Sequence, residues 1–165
     1  MKALGIILAL LFFAVLPGAA QQQQNKKEAK AAEIAELVKS GDFIFIARSA
    51  TPVAGSQIIL TSIYTMSFHG DTVEAYLPYY GRAYQAPYEG TDGGIKFKEV
   101  VAEKQELTKK RKQLYVVSFD VSTARENYKV FLTVGSGGYA DLQITPTHRQ
   151  VISYYGHIEA LPSKE

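Results

Sequence analysis

The chain has no cysteine, no tryptophan and only three histidines among its 165 residues. Without cysteine there are no disulfide staples, so a hydrophobic core must supply the stability. The same absence removes a thiol nucleophile, a thiolate-bound zinc and the lipid-modified cysteine of a bacterial lipoprotein, so no lipid anchor is expected. His69, His148 and His157 do not show metal-ligand spacing such as two histidines four apart on a helix, and no metal site is expected. Neither sign of charge dominates: 18 Lys and Arg against 16 Asp and Glu leave +2, a balance that does not favour nucleic acid as a partner. The apolar run from Ala3 to Leu16 is 14 residues, short of the roughly 20 that cross a bilayer as a helix, so no transmembrane anchor is expected.

Motifs for chemistry are missing too. No Gly-x-Ser-x-Gly elbow is present, and Gly135-Ser136-Gly137 reads as a hairpin turn. No glycine-rich loop opens a helix, so nothing supports a nucleotide cofactor, and no other cofactor is indicated. A triad can be written on paper from Ser153, His69 and Asp120, but a chain of this length always permits one. No catalytic residue is assigned.

What is present begins with an address. Lys2, the apolar stretch to Leu16 and the small residues Pro17-Gly18-Ala19-Ala20 have the layout of a cleaved export signal. Cleavage between Ala20 and Gln21 would leave 145 residues, enough for one domain with its own core, in the periplasm or outside the cell. Residues 21–26 then form a flexible N-terminus, 27–160 a single mainly-β domain and 161–165 a polar tail. Asn25 and Glu28 have capping-box spacing for a helix. Ala31, Ile34, Ala35, Leu37 and Val38 form its apolar stripe, and Ser40-Gly41 stops it.

After Gly41 the period changes to two. Phe43 to Ala47 is a short strand. From Gln57 to His69, Ile58, Leu60, Tyr64, Met66 and Phe68 share a face, and Gly70-Asp71 turns the chain into Val73, Ala75 and Leu77. Residues 78–94 are a loop, Ile95 to Val101 a strand, and Lys109 to Lys112 a polar turn. Three alternating strands follow, carrying Tyr115 to Val121, Tyr128 to Val134 and Ala140 to Ile144; the last strand holds Ile152, Tyr154 and Ile158. The pattern predicts an antiparallel meander, as a sheet or flattened barrel of about seven to nine strands, with the N-terminal helix on or beside it.

Two clusters could carry recognition. Residues 76–88 hold five of the 11 tyrosines, with Arg82 among them and Pro78, Gly81 and Pro87 restricting or bending the backbone. Tyr79, Tyr80, Arg82, Tyr84 and Tyr88 are the leading candidates for binding a polar ligand or a partner protein. The alternative is that these tyrosines pack over the sheet edge, with Arg82 stacked or paired internally. The second cluster, His148, Arg149, Tyr155 and His157, could form a cationic site or simply the polar face of a last strand.

Leu77-Pro78-Tyr79-Tyr80-Gly81-Arg82-Ala83-Tyr84, following a strand and a Gly-Asp turn, resembles a family of exported proteins of Bacteroides-like bacteria, domain of unknown function 4251. Arg149 to Ile158, preceded by the glycine-rich hairpin near Tyr139-Ala140, extends the resemblance over Phe43 to Ile158. It implies a Gram-negative cell-envelope location and offers no catalytic residues. The expectation is a soluble, non-catalytic binding or interaction module for an unknown envelope ligand or protein partner. A small hydrolase of envelope glycan or peptide, and a structural or inhibitor-like domain covering a partner, are the alternatives.

Overall fold

Inward residues at every second position build most of this molecule. The computed structural model describes residues 17–84, 93–101, 105–109 and 114–162. Helix α1 (Pro17–Ser40) is followed by β1 (Asp42–Pro52), β2 (Ile58–His69), β3 (Thr72–Leu77), β4 (Ile95–Val100), β5 (Gln105–Lys109), β6 (Leu114–Ser122), β7 (Asn127–Gly135), β8 (Tyr139–Pro146) and β9 (Ile152–Ala160). The nine strands form one sheet in the order β4-β3-β2-β1-β9-β8-β7-β6-β5, each neighbouring pair antiparallel. The first and last long strands, β1 and β9, are joined at the centre, so two meanders spread from one seam.

The sheet curls until its two wings meet. Phe68 on β2 packs edge-on against Phe119 on β6, with ring centroids 5.9 Å apart. Phe97 on β4 stacks against Tyr128 on β7 at 5.3 Å. These strands are far apart in the ladder, so their contact makes the concave face the interior of a nearly closed barrel. Alternating residues fill it: Val73, Ala75 and Leu77, then Val130, Leu132 and Val134, then Ala140, Leu142 and Ile144 are all buried. β5 was not evident in the sequence; it pairs with β6 at one end of the ladder.

Helix α1 closes one end. Ile34 and Val38 are buried, Ala31, Ala35 and Leu37 half-buried, and the intervening polar positions exposed, so the expected stripe is the docking face. Each fully buried aliphatic side chain contributes about 1.5–3 kcal/mol. Ser40 Oγ donates to Leu37 O at 2.8 Å, and Gly41 takes φ 74° as the chain leaves the helix. The start differs from the sequence expectation. Asn25 lies inside the helix and caps nothing, and the segment expected to be a flexible N-terminus is helical from 21 to 26. Gln, Ala and Lys are good helix formers, no breaker follows Gly18, and Gln24 Nε2 reaches Glu28 Oε1 at 3.2 Å one turn on.

At the central seam, β1 carries a bulge. Ala47 pairs with Gly156 and Ser49 with Tyr155, leaving Arg48 as an extra residue. Gly156 is required by close approach: a Cβ there would overlap the Ile46 carbonyl oxygen and stand 3.0 Å from the Phe45 ring. Gly156→Ala is therefore expected to destabilise the fold by about 2–4 kcal/mol in urea denaturation, because both obstacles belong to the packed seam. Gly137→Ala, whose Cβ would meet only a Tyr139 ring carbon at 3.7 Å, is the control and should change stability by less than about 1 kcal/mol.

Candidate functional site

The end of the barrel opposite the helix is built from three connections: the start of the β3–β4 loop (78–84), the β6–β7 turn (123–126) and the β8–β9 connection (147–151). The β6–β7 turn is organised by Thr123, whose Oγ1 donates to Glu126 O at 2.8 Å and accepts from the amides of Arg125 and Glu126. That turn delivers the Glu126 side chain inward, where it is buried.

A buried carboxylate must be satisfied by donors. Glu126 Oε1 accepts the His148 amide at 2.8 Å, and Oε2 accepts Arg149 Nε at 2.9 Å and Nη2 at 2.8 Å. Arg149 spends its remaining donors inside the protein, Nη1 on the Gly93 carbonyl at 2.8 Å and Nη2 also on the Tyr128 hydroxyl at 3.2 Å. Its guanidinium lies over the Tyr79 ring at 4.4 Å from the centroid and 5.9 Å from that of Tyr128. Arg149 therefore acts as an internal brace, and it, not Arg82, is the arginine stacked among the tyrosines.

The tyrosine-rich loop is tied to the same connection. Tyr79 Oη donates between Gln150 O at 2.9 Å and Arg82 O at 3.1 Å. The Gln150 amide donates to Arg82 O at 3.0 Å and the Tyr84 amide to His148 O at 2.9 Å, flanking an antiparallel bridge between Ala83 and Arg149. Tyr154 Oη rises from the barrel interior to Pro78 O at 2.6 Å. Gly81 permits the bend, since a Cβ there would overlap the Tyr79 hydroxyl.

The two sequence clusters are thus partly merged and partly split. Tyr79 is packed, whereas Tyr80, Arg82 and Tyr84 are exposed on the braced loop. Among the described residues, none of those three side chains has a hydrogen-bond partner. Tyr88 lies outside the described residues. His148 and Arg149 join this end through backbone and guanidinium contacts. Tyr155 and His157 are elsewhere, on the outer face of β9, where His157 Nε2 meets Glu159 at 2.9 Å. Ser153, paired with Thr51 and Gln143, is not brought to His69, which stands at the β2–β3 hairpin beside the helix. Among the described residues no three of His, Asp and Glu gather in a way that could hold a metal ion. Sequence reasoning missed Glu126 and Gln150, polar residues in ordinary turn contexts with no local signature.

This architecture, a nine-stranded antiparallel meander curled over a helix, defines the class of protein. The family described as a domain of unknown function, DUF4251, matches residues 25–158, and the chain belongs to that family. It is similar in fold to the crystal structure of a DUF4251 family protein from Bacteroides eggerthii DSM 20697. The TM-score is 0.62 at 18% identity, over 80% of this chain and 88% of that one. No curated protein matches the chain. No helix among the described residues is long and apolar enough to cross a membrane.

Two expectations test the brace. Arg149→Ala should cost about 3–5 kcal/mol in chemical denaturation, because it leaves the Glu126 carboxylate buried without its cation. Burial, partly opposed by Arg149, raises the hydroxyl pKa of Tyr79 and Tyr128 above the ordinary 10.0, and that of Tyr154 goes up further. The folded chain thus keeps these protons to higher pH than the unfolded chain. Their stabilisation is complete below pH 10 and is lost as pH rises through the folded values. Phenolate absorbance during alkaline titration should show a late-ionising group of tyrosines whose release accompanies unfolding.

Proposed function

We propose that this protein is an exported, non-catalytic recognition module, whose ligand or partner docks on the loop presenting Tyr80, Arg82 and Tyr84. The observation that carries this reading is the contrast within one loop. Its backbone and Tyr79 are pinned to Gln150, His148 and Arg149, while Tyr80 is 44% and Tyr84 66% exposed. Tyrosine supplies broad contact area with few rotatable bonds, and arginine supplies a planar fork of donors. A loop fixed beforehand loses little further entropy on binding.

Export is part of the proposal. Residues 21–30 of α1 are exposed, and the helix docks through Ile34 and Val38. Cleavage after Ala20 would therefore trim the helix without touching its anchor, leaving a periplasmic or secreted chain that starts at Gln21.

The test is thermal unfolding of the purified protein against envelope glycans, peptides and lipids. A ligand at about a hundred times its Kd adds about 2.7 kcal/mol, enough to raise the midpoint by several degrees. Replacing Tyr80 and Arg82 together by Ala should abolish that rise and leave the unliganded midpoint within about 2 °C, since both side chains are solvent-facing. A large drop in the unliganded midpoint would instead make the loop a packing element.

A further inference from the structure

A second surface lies on the outer face of β8, β9 and β1, beneath the exposed side of α1. Here a cleft of about 430 Å³ is lined by Lys30, Arg48, Tyr139, Tyr155, His157 and Glu159, with Gly156 between the two central side chains. Its floor follows from strand register. Ile46, His157 and Tyr139 lie in one row across the three strands, and Tyr155 stands in the next row beside the bulge. The Tyr139 and Tyr155 rings are nearly parallel, 6° between planes, with centroids 6.1 Å apart.

Arg48 supplies the charge. Phe43, Phe45 and Ala47 are buried and the pleat turns Arg48 outward, while the extra residue at the bulge leaves Arg48 and Ser49 both opposite Tyr155 and returns Ala50 to the core. Ser49, in register with the exposed Ile59 and Tyr155, is buried and accepts a hydrogen bond from Gln57 Nε2 at 2.7 Å. Arg48 thus lines the same cleft as the two aromatic rings. Of the other charged groups around the cleft, Lys30 meets Glu33 at 3.1 Å, Glu159 meets the His157 ring at 2.9 Å, and Asp141 stands exposed on β8 in register with Tyr155. Arg48 has no ion pair or side-chain hydrogen bond among the described residues.

An unmatched guanidinium beside exposed rings is suited to a planar anion carried on a ring. Arginine binds a carboxylate through two parallel N–H donors, a geometry that a single ammonium cannot reproduce. Aromatic faces accept the flat side of a ring, and the His157–Glu159 pair offers a donor and an acceptor at the margin. The volume lies at the small end of ligand clefts, roughly 300–1,000 Å³, and fits one ring better than a polymer segment. We infer that this cleft is a binding site for a small carboxylate borne on a single ring, with Arg48 taking the carboxylate and Tyr139 and Tyr155 the ring. The site is separate from the loop at the far end of the barrel and does not depend on it.

A uronic acid and an aromatic acid share this chemistry, and a titration followed by amide NMR tells them apart. Glucuronate and benzoate are each added to the purified protein, with the methyl ester of glucuronic acid as the uncharged control. Saturable shifts should concentrate at Tyr139, Tyr155 and Gly156 with at least one of the two anions; the anion that binds identifies the source. Arg48→Gln should weaken that binding on the order of tenfold to a hundredfold, with an unchanged thermal midpoint because Arg48 is exposed and unpaired. Binding should persist when Tyr80 and Arg82 are both Ala. No saturable shift with either anion, equal binding of the ester, or undiminished binding by Arg48→Gln would overturn the assignment.

Discussion

One ion pair holds the open end of this barrel in a single arrangement. Glu126 and Arg149 come from different connections, and both are taken almost wholly out of water. Such a pair gains little over well-packed apolar groups when taken alone, since desolvation cancels most of the attraction. The balance shifts because the protein hydrogen-bonds both charges. Three donors converge on the carboxylate, and the guanidinium is divided among Glu126, Gly93 and Tyr128. The partners are specific atoms on specific loops, so the network determines which connections meet. Apolar contact alone would fix that choice far less sharply.

The opposite end is closed by different means. Ile34 and Val38 dock on it through shape and apolar burial, and the helix leaves its polar face to water. The two closures answer different needs. A helix supplies all of its own interior backbone hydrogen bonds, so an apolar stripe suffices to seat it. Loops 78–84, 123–126 and 147–151 bring unpaired backbone groups to the barrel mouth, and these must find partners. Tyr79, Tyr154, Glu126 and Arg149 provide them, which explains why ring hydroxyls and charges cluster at that end.

The same distinction separates what could be read in the sequence from what could not. The strands announce themselves because burial alternates with the pleat: Val73, Ala75 and Leu77 lie inside exactly as their spacing requires, and so do Val130, Leu132 and Val134. The helix stripe at 31, 34, 35, 37 and 38 is equally local. β5 was hidden because Gln-Glu-Leu-Thr-Lys has one apolar residue and no alternation, and it is paired only with β6 in the ladder. The braced end was hidden for another reason. Arg149 reaches Glu126 across 23 positions and Tyr79 reaches Gln150 across 71, separations that carry no periodic trace. Of the two arginines near tyrosines, Arg82 is the closer in sequence, yet curling the sheet puts Arg149 over the ring. Helix propensity likewise outweighed a capping signal at Asn25, because nothing upstream to Gly18 interrupts the helix.

Where such a barrel can meet other molecules follows from how it is filled. Phe43, Phe45, Phe68, Met66 and Tyr154 stand at 0–1% exposure across its interior, so side chains occupy the space that a wider barrel would offer to a ligand. The two surfaces proposed for recognition accordingly lie at the rim and on the outer face. At each place the fold must hold a polar side chain outward against the tendency of its neighbours to pack. The rim does this by fastening the backbone on both sides of Arg82. The outer face does it through the pleat of β1, which turns Arg48 outward beside the buried Ala47, while the bulge returns Ala50 to the core. Both devices draw their rigidity from the packed interior: Tyr154 ties the core to Pro78, and Gly156 lets the seam close beneath the bulge.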